Sequence, residues 1–383
     1  MRLALLVICV LGCGRRGFED LPDATRDAAP DPGVVELSSR GTAACVRSGD
    51  GRVACWGSNE RGQLGRGTVG TIEGPALVPL ANVVRIATGE NIAFAIDRDG
   101  TLWGWGANAN GELGLGMTGA DRPSPQRVLV PPVSDVAGGE YHACAITTQG
   151  GELYCWGDNA CGQLGSGDTN PNPTPTRVAG VSGAVRVTVS DQQTCVTDAS
   201  GNTRCMGASY FMAGCQNQQL TPTPPTGIGR VVDVAGGCHM STCAVDTNGA
   251  AWCWGDNLSG VLGDGGNTPR ANPSRVAVIT NAAKIGTGFA TSCAATVTDD
   301  VFCWGTNAAG ELGVSSTMIG QSSTPLQVPF FGGMPVDEIE TGCASTCVLS
   351  GHDVYCWGKN DKAVIDDTGV DAFAPTLRTA LPF

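Results

Sequence analysis

Cysteine is the residue type that offers the most chemistry in this chain, which has 18 cysteines among 383 residues. Most of them recur as pairs whose members stand about ten residues apart. The pairs are Cys45 and Cys55, Cys144 and Cys155, Cys195 and Cys205, Cys243 and Cys253, Cys293 and Cys303, and Cys347 and Cys356. Cysteines at such spacing can form disulfides, bind zinc or stay buried as free thiols, and the elements that carry them decide which.

A tryptophan landmark places the pairs in a repeated element. The second cysteine is followed by Trp and Gly in nearly every copy, as in Cys155-Trp156-Gly157. Met206 replaces the Trp in the fourth copy, and the second copy, Gly104-Trp105-Gly106, has no cysteines. The landmarks are 48 to 53 residues apart. A period of this length indicates a propeller or a solenoid rather than an enzyme with one unique core.

Each copy contains the same succession of short apolar segments and turns. In the third copy these are Val133 to Ala137, Cys144 to Ile146, Leu153 to Trp156 and a final Pro-x-x-Val segment. The 56 Gly and 22 Pro residues supply the turns between such segments and favour many short strands over long helices. We therefore predict one four-stranded antiparallel sheet per copy, which must stack on its neighbours to bury its faces.

The loop after the landmark resembles a known repeat. Trp56 to Gly65, Trp156 to Gly165 and Trp304 to Gly313 share the pattern Trp-Gly-x-Asn-x-x-Gly-x-Leu-Gly, and Gly139-Glu140-Tyr141-His142 supplies a second signature. These segments resemble the regulator of chromosome condensation repeat family, whose members form seven-bladed β-propellers. The resemblance implies an all-β, seven-bladed propeller of repeats of about 50 residues over residues 34–383. The fourth copy departs from the pattern, and the seventh loses its Gly-x-Leu-Gly end at Lys359 to Lys362.

Disulfides between the second and third strands of each blade are the simplest interpretation of the cysteine pairs. Opposed residues at a non-hydrogen-bonded position lie about 4.5 Å apart at Cα, which is within reach of a disulfide. The second copy has lost both members together, to Phe94 and Gly104, and no copy keeps only one. Zinc would need four converging ligands, and no histidine stands at metal spacing. Buried free thiols are the alternative, and cystines would require an oxidising compartment.

Four further cysteines fall in loops that the predicted topology places on one face of the ring. They are Cys161, Cys215, Cys238 and Cys343. A disulfide between Cys161 and Cys215, or between Cys215 and Cys238, would join adjacent blades, and the sequence does not choose between them. The pairing of Cys343 stays open as well.

The first residues have the features of an export signal. Arg2 precedes an apolar run from Leu3 to Leu11, and Val10-Leu11-Gly12-Cys13 resembles the lipobox of bacterial lipoproteins. We predict a signal peptide over residues 1–13 with lipid attachment at Cys13, a disordered tether over 14–33 and the propeller over 34–383. The lipid anchor would be the only membrane contact, and Gly14 favours the outer membrane or cell surface. An ordinary secretory leader is the alternative.

Charge and histidine content argue against several functions. The formal net charge of −13 opposes nucleic-acid binding. Of the three histidines, His142 and His239 occupy the signature position of the repeat and His352 lies in a hairpin turn, so none indicates catalysis. We therefore expect a protein that is not an enzyme, has no cofactor or metal, and is a monomer.

The function predicted from these features is a cell-surface or periplasmic binding scaffold. Its ligand, an unidentified protein or polysaccharide, would bind the face that carries the long loops. Tyr210, Phe211 and Met212 either fill the space left by the missing tryptophan at Met206 or form an exposed recognition patch there. The alternatives are an inhibitor of an extracellular enzyme, a guanine-nucleotide exchange factor and a propeller enzyme. No spare strand is evident to close the ring, so closure would depend on side-chain packing or on an offset blade boundary.

Overall fold

Each copy of the repeat folds into one four-stranded antiparallel sheet, and the computed structural model arranges seven such sheets as the blades of a propeller. The structure describes residues 32–208, 215, 218–315, 319–343, 345–379 and 381–383. Apart from Pro32, these residues belong to one unit, Gly33–Phe383. The predicted seven-bladed, all-β fold is confirmed. Cys13, Tyr210, Phe211 and Met212 lie outside the described residues, so their predicted roles stay predictions.

Within every blade the strands are ordered as they occur in the chain. The first strands, which line the axis, are β1 (Val34–Ser38), β5 (Val83–Thr88), β9 (Val133–Gly138), β13 (Ala184–Val189), β17 (Val231–Gly236), β21 (Ala282–Thr287) and β25 (Glu338–Thr341). The second strands are β2 (Ala43–Ser48), β6 (Ile92–Asp97), β10 (His142–Thr147), β14 (Gln193–Asp198), β18 (Ser241–Asp246), β22 (Thr291–Thr296) and β26 (Ser345–Ser350).

The third strands are β3 (Val53–Asn59), β7 (Leu102–Gly106), β11 (Leu153–Gly157), β15 (Thr203–Gly207), β19 (Ala251–Gly255), β23 (Val301–Thr306) and β27 (Asp353–Gly358). The fourth, outermost strands are β4 (Gly70–Leu77), β8 (Arg122–Arg127), β12 (Asn172–Arg177), β16 (Gln219–Thr223), β20 (Arg270–Arg275), β24 (Gln321–Val328) and β28 (Ala372–Leu377). A 3₁₀ turn at Pro329–Phe331 lies between the sixth and seventh blades.

Burial follows the order of the strands. All six residues of β10 are buried because neighbouring blades cover both faces of a second strand. The outer strands are partly exposed and tolerate proline, as in Pro123 and Pro125 of β8, because an edge strand has no partner that needs the missing N–H group.

The predicted disulfides are present in six blades. Cys144 lies directly opposite Cys155 in the pairing of β10 with β11, and every one of these six bonds spans 4.1 Å between Cα atoms. In the second blade Phe94 and Gly104 occupy the same opposed positions. Phe94 is fully buried and covers the glycine, so an aromatic ring takes the place of the cystine.

The landmark tryptophans join each blade to the preceding one. The Trp156 indole N–H donates a hydrogen bond of 2.8 Å to the carbonyl oxygen of Glu112, in the Gly-Glu-Leu-Gly segment of the second blade. The same bond recurs at Trp105 to Gln63, Trp304 to Val261 and Trp357 to Glu311. These side chains are fully buried, so each acts as a hydrogen-bonded wedge between two blades.

The fourth blade replaces this wedge with two other side chains. The Thr194 hydroxyl donates to the carbonyl oxygen of Gln163, which is the acceptor that the missing tryptophan would use. On the other side, the Trp254 indole donates to the side-chain oxygen of Gln193 at 2.8 Å instead of to a backbone carbonyl. Met206 is fully buried beside them. The degraded copy therefore keeps polar contacts to both neighbours.

Side-chain contacts close the ring, because β1 belongs wholly to the first blade and β28 to the seventh. The Trp56 indole donates to the Val364 carbonyl at 2.8 Å, which repeats the wedge between the last blade and the first. Apolar residues of both blades form one buried cluster there, with Leu381 and Phe383 packed against it. Of the two predicted ways to close the ring, the structure has the side-chain packing.

Candidate functional site: the axial channel and its mouth

The antiparallel order of strands separates the connections into two faces. The connections between first and second strands and between third and fourth strands share one side, which we call the loop face. The tight connections between second and third strands lie on the opposite side, the hairpin face.

A buried asparagine orders each of the long loops that follow a landmark tryptophan. In the third blade, Asn159 accepts a hydrogen bond from the Leu164 N–H and donates to the carbonyl oxygens of Asp168 and Asn170. Equivalent bonds to a leucine N–H are made by Asn59, Asn108, Asn257 and Asn307. One side chain thus fixes a loop of about ten residues, which explains the Asn of the repeat pattern.

The axis of the ring is a channel of about 410 Å³ between the first strands. One residue of each first strand forms a ring of charged side chains on its wall. This charge ring consists of Glu36, Arg85, Asp135, Arg186, Asp233, Lys284 and Glu338. All of these line the channel except Asp135, which is buried and pairs with Arg85. Acids and bases alternate from the first blade to the seventh, so each basic residue has acidic neighbours on both sides.

The charge ring connects neighbouring blades. Arg85 of the second blade contacts Asp135 of the third at 2.5 Å, and Arg186 of the fourth pairs in the same way with Asp233 of the fifth. The acids also accept backbone N–H groups of the following blade: Asp135 binds the N–H of Val187 at 2.8 Å. Ion pairs and backbone bonds together hold the channel wall in place.

The alternation ends where the last blade meets the first. Glu338 accepts the Leu37 N–H at 2.6 Å but stands next to Glu36, another acid. Burial and the charge of Glu36 raise the pKa of Glu338 to about 7. Burial, with the charges of Glu338 and Asp233, raises the pKa of Glu340 to about 8. The channel wall therefore holds carboxyl groups that titrate near neutral pH.

The channel mouth on the loop face is formed by connections between first and second strands. Arg40 crosses this opening, and its guanidinium donates a hydrogen bond of 2.6 Å to the carbonyl oxygen of Gly237, in the fifth blade. Its backbone N–H bonds to the Thr88 hydroxyl. Arg40 is buried in spite of its charge. We call this opening the mouth, and we define it by side chains that lie close enough to interact there: Arg40, Glu90, Glu140, Asp191, Cys238, His239 and Cys343.

Acids dominate the mouth. Burial and the adjacent charge of Glu140 raise the pKa of Glu90 to about 7. Burial also raises the pKa of Asp191 to about 7; Arg40 opposes that shift, and Glu140 and Glu90 add to it. Asp191 is 7% exposed, and its Oδ1 atom has no hydrogen-bond partner. A single arginine thus faces three carboxyl groups.

The three histidines lie in different environments. Burial and the charge of Arg40 lower the pKa of His142 to about 3, so this ring is neutral, and its Nε2 bonds to the Thr194 hydroxyl at 2.8 Å. His352 bonds to the Val34 carbonyl across the ring closure. His239 differs because it is half-exposed, lies 3.5 Å from Asp256 and packs its ring against Phe289.

The loop cysteines are divided between a disulfide and free thiols. Cys161 forms a disulfide with Cys215, which joins the loops of the third and fourth blades with 5.1 Å between Cα atoms. The alternative prediction, Cys215 with Cys238, is wrong because Cys215 is already bonded to Cys161. Cys238 and Cys343 are free thiols, and both lie at the mouth.

Sequence reasoning missed the charge ring and the mouth. The signal was present at one position of the repeat: the third residue of the first strand is Glu36, Arg85 and Asp135 in the first three blades. Only superposition of the copies reveals this alternation, because each charge alone resembles an ordinary surface residue. Except for His239, the mouth residues occupy one variable position, directly after the Gly or Ser that follows each first strand, where Glu90 and Glu140 correspond to Asp191.

The described residues carry neither a metal site nor a membrane-spanning helix. The part of the chain that the structure describes holds no group of three or more His, Cys, Asp or Glu side chains arranged for a metal ion. Across those same residues, no helix has both the length and the apolar character needed to span a bilayer.

Seven four-stranded blades around a charged channel, most of them joined by tryptophan wedges, define a β-propeller built from sequence repeats. The model of the regulator of chromosome condensation (RCC1) repeat matches residues 50–96, 99–146, 150–197 and 298–349, and a second model of the same repeat matches 83–112 and 133–163. The chain belongs to the RCC1 repeat family.

Relatives of this chain differ widely in size. It is 32% identical over 355 residues to the human E3 ubiquitin-protein ligase HERC2, an alignment that covers 87% of this chain and 7% of that protein. It is 28% identical over 376 residues to the ultraviolet-B receptor UVR8 of Arabidopsis thaliana, with coverage of 94% and 84%. The chain thus spans a small part of HERC2 and most of UVR8.

Solved structures share the fold at low sequence identity. Prp20p of Saccharomyces cerevisiae superposes with a TM-score of 0.74 at 21% identity, over 85% of each chain. Human WBSCR16 gives a TM-score of 0.75 at 20% identity, over 86% of this chain and 95% of that one. Similarity at this level establishes the fold.

Proposed function

We propose that the protein is an exported, non-catalytic binding scaffold whose loop face holds a protein ligand at the mouth of the axial channel. The ligand presents a lysine or arginine side chain to Glu90, Glu140 and Asp191. The observation that carries this proposal is the unpartnered carboxylate oxygen of Asp191, buried at the mouth beside two further acids. A buried acceptor without a donor costs free energy, which a cationic donor from a ligand would recover.

Charge and rigidity both support a basic ligand. The net charge of −13 attracts cations over the whole surface, while the mouth concentrates that attraction at one place. Backbone hydrogen bonds hold the first-to-second connections that carry the mouth residues, as in Glu90 N–H to the Gly139 carbonyl at 3.3 Å and Gly139 N–H to the His142 carbonyl at 2.8 Å. A site held in place before the ligand arrives loses less entropy on binding.

The seven disulfides among the described residues indicate an oxidising environment outside the cytoplasm. We propose an outer-membrane or cell-surface location, with the lipid on Cys13 and the loop face turned away from the membrane. Incorporation of a fatty-acid analogue into the full chain, and its loss in the Cys13→Ser variant, tests the anchor.

The binding test uses the full chain and fluorescent peptides that carry lysine and arginine, acidic residues or only neutral residues. We expect the basic peptides to bind, and the double variant Glu90→Gln with Glu140→Gln to bind them about tenfold more weakly, which corresponds to about 1.4 kcal/mol. As pH falls from 8 to 6, Glu90 and Asp191 become protonated, so binding to the wild type should weaken.

The matched control is Asp99→Asn with Asp353→Asn, which also removes two negative charges, from exposed positions in the turn before β7 and at the start of β27. Equal losses in both double variants would mean that net charge alone attracts the peptides. Binding of neutral polysaccharides that is unaffected by the mouth variant would instead identify a carbohydrate scaffold.

A further inference from the structure

Among the described residues, two cysteines stand outside the disulfides, although the other described cysteines all form cystines. Cys238 lies in the connection between β17 and β18 of the fifth blade, and Cys343 lies between β25 and β26 of the seventh. A whole blade separates them around the ring. They come together because the first-to-second connections converge at the axis.

Both sulfur atoms contact one backbone oxygen. The Cys238 thiol donates a hydrogen bond to the carbonyl oxygen of Arg40, and the Cys343 Sγ atom lies 3.5 Å from the same oxygen. The two thiols also hydrogen-bond with each other. The Arg40 guanidinium is bonded to Gly237, directly before Cys238. The first, fifth and seventh blades therefore meet at this pair.

We propose that Cys238 and Cys343 are a redox-active pair that closes to an eighth disulfide across the mouth. The oxidant is a disulfide, either that of a small thiol such as glutathione or that of an exported oxidoreductase. This joins two blades that no other disulfide connects.

The chemistry is two successive thiol–disulfide exchanges. The Cys343 thiolate, which is the more exposed of the two, attacks one sulfur of the incoming disulfide and releases the other as a thiolate. The Cys238 thiolate then attacks the Cys343 sulfur and displaces the second thiolate. Two protein thiols lose two protons and two electrons, and the incoming disulfide is reduced to two thiols.

The surroundings explain why this pair reacts later than the others. The six strand-to-strand cystines need only a local hairpin, whereas Cys238 and Cys343 meet after the ring has closed. The hydrogen bond that the Cys343 thiol donates to the Cys238 sulfur and its burial raise the pKa of Cys343, so exchange should be slow at neutral pH and faster as pH rises.

The test incubates the full chain with graded ratios of oxidised to reduced glutathione in the presence of a chelator. Free thiols are then alkylated, and an unreduced digest is mapped by mass spectrometry. We expect a linked pair of peptides that contain Cys238 and Cys343 to increase with the proportion of glutathione disulfide. Mild reduction should reverse the link and leave the strand-to-strand cystines intact.

Two single variants separate the steps. Cys238→Ser should stop at a mixed disulfide between Cys343 and glutathione, while Cys343→Ser should leave the buried Cys238 largely unreactive. The oxidised wild type should also show a higher Tm than its selectively reduced form, because the new bond closes a long loop. The proposal is overturned if both thiols of the wild type stay open to alkylation at every ratio, or if each carries glutathione without linking.

Discussion

At the scale of single residues, the structure preserves an interaction even where it changes the side chain that makes it. The fourth blade has lost its landmark tryptophan at Met206, yet Thr194 satisfies the Gln163 carbonyl and Gln193 accepts the Trp254 indole. Gln193 also accepts a hydrogen bond from Thr242. One glutamine thus joins the fourth blade to two side chains of the fifth.

Replacement of Gln193 by leucine removes the acceptor for two buried donors, the Trp254 indole and the Thr242 hydroxyl. We expect the free energy of unfolding to fall by about 1–3 kcal/mol, since unpaired buried polar groups carry a cost of this size. Chemical denaturation followed by tryptophan fluorescence measures the change. Gln149→Leu, in an exposed hairpin turn, is the control, and an equal loss in both variants would contradict the role of Gln193.

At the scale of the blade, the second and third strands pair in the same register whether a disulfide or a buried aromatic ring lies between them. Phe94 lies opposite Gly104 in the second blade, in the register that Cys144 and Cys155 have in the third. The Phe94 ring also meets the Trp156 ring edge-on, with 6.0 Å between centroids. A disulfide between the two strands and a buried aromatic ring can therefore fill the same position in the blade.

The double variant Phe94→Cys with Gly104→Cys should form a further strand-to-strand disulfide, because the register is already correct. Loss of the phenylalanine should lower the free energy of unfolding by about 3–5 kcal/mol, and closure of a ten-residue loop by the new disulfide should raise it by about 2.5–3 kcal/mol. The oxidised double variant should thus unfold at a higher temperature than its reduced form but no higher than the wild type. Calorimetry with unreduced peptide mapping checks both points, and two alkylatable cysteines in the folded protein would refute them.

At the scale of the whole molecule, closure of the ring depends on contacts between residues far apart in the chain. Trp56 bonds to Val364, Leu37 bonds to Glu338, and His352 bonds to Val34. The Trp56 bond repeats the tryptophan wedge that other neighbouring blades share. The bond between Leu37 and Glu338 repeats the backbone bond that the acids of the charge ring make to the following blade. The exception is the adjacency of Glu338 and Glu36, which introduces a pH-dependent weakness at this one boundary.

Replacement of Glu338 by glutamine should remove that weakness and keep an oxygen for the Leu37 N–H. The folded protein raises the pKa of Glu338 from its usual 4.5 to about 7, so its contribution to stability is present below pH 4.5 and is lost as pH rises to 7. The variant should therefore gain stability over the wild type above pH 7, by about 1–2 kcal/mol after allowance for solvent screening. Thermal melts at pH 5 and pH 8 measure this, and an equal difference at both would count against it.

Local patterns in the sequence predicted the fold well. The repeat period, the paired cysteines and the Trp-Gly landmark each depend on contacts within one blade or between neighbours, so every copy displays them. The mouth could not be predicted in this way, because Arg40 and Gly237 meet only after the ring closes. The free thiols were unassigned for the same reason: Cys238 and Cys343 belong to blades that are not adjacent.

The charge ring carries a consequence for the number of blades. Acidic and basic residues can alternate around a closed ring only when the number of blades is even, and this ring has seven. One pair of like neighbours is therefore unavoidable, and it falls where the chain's two ends meet, which is the boundary that no peptide bond spans. A chain permuted to start at another blade would carry that clash inside its continuous sequence, whereas an eighth, basic blade would abolish it.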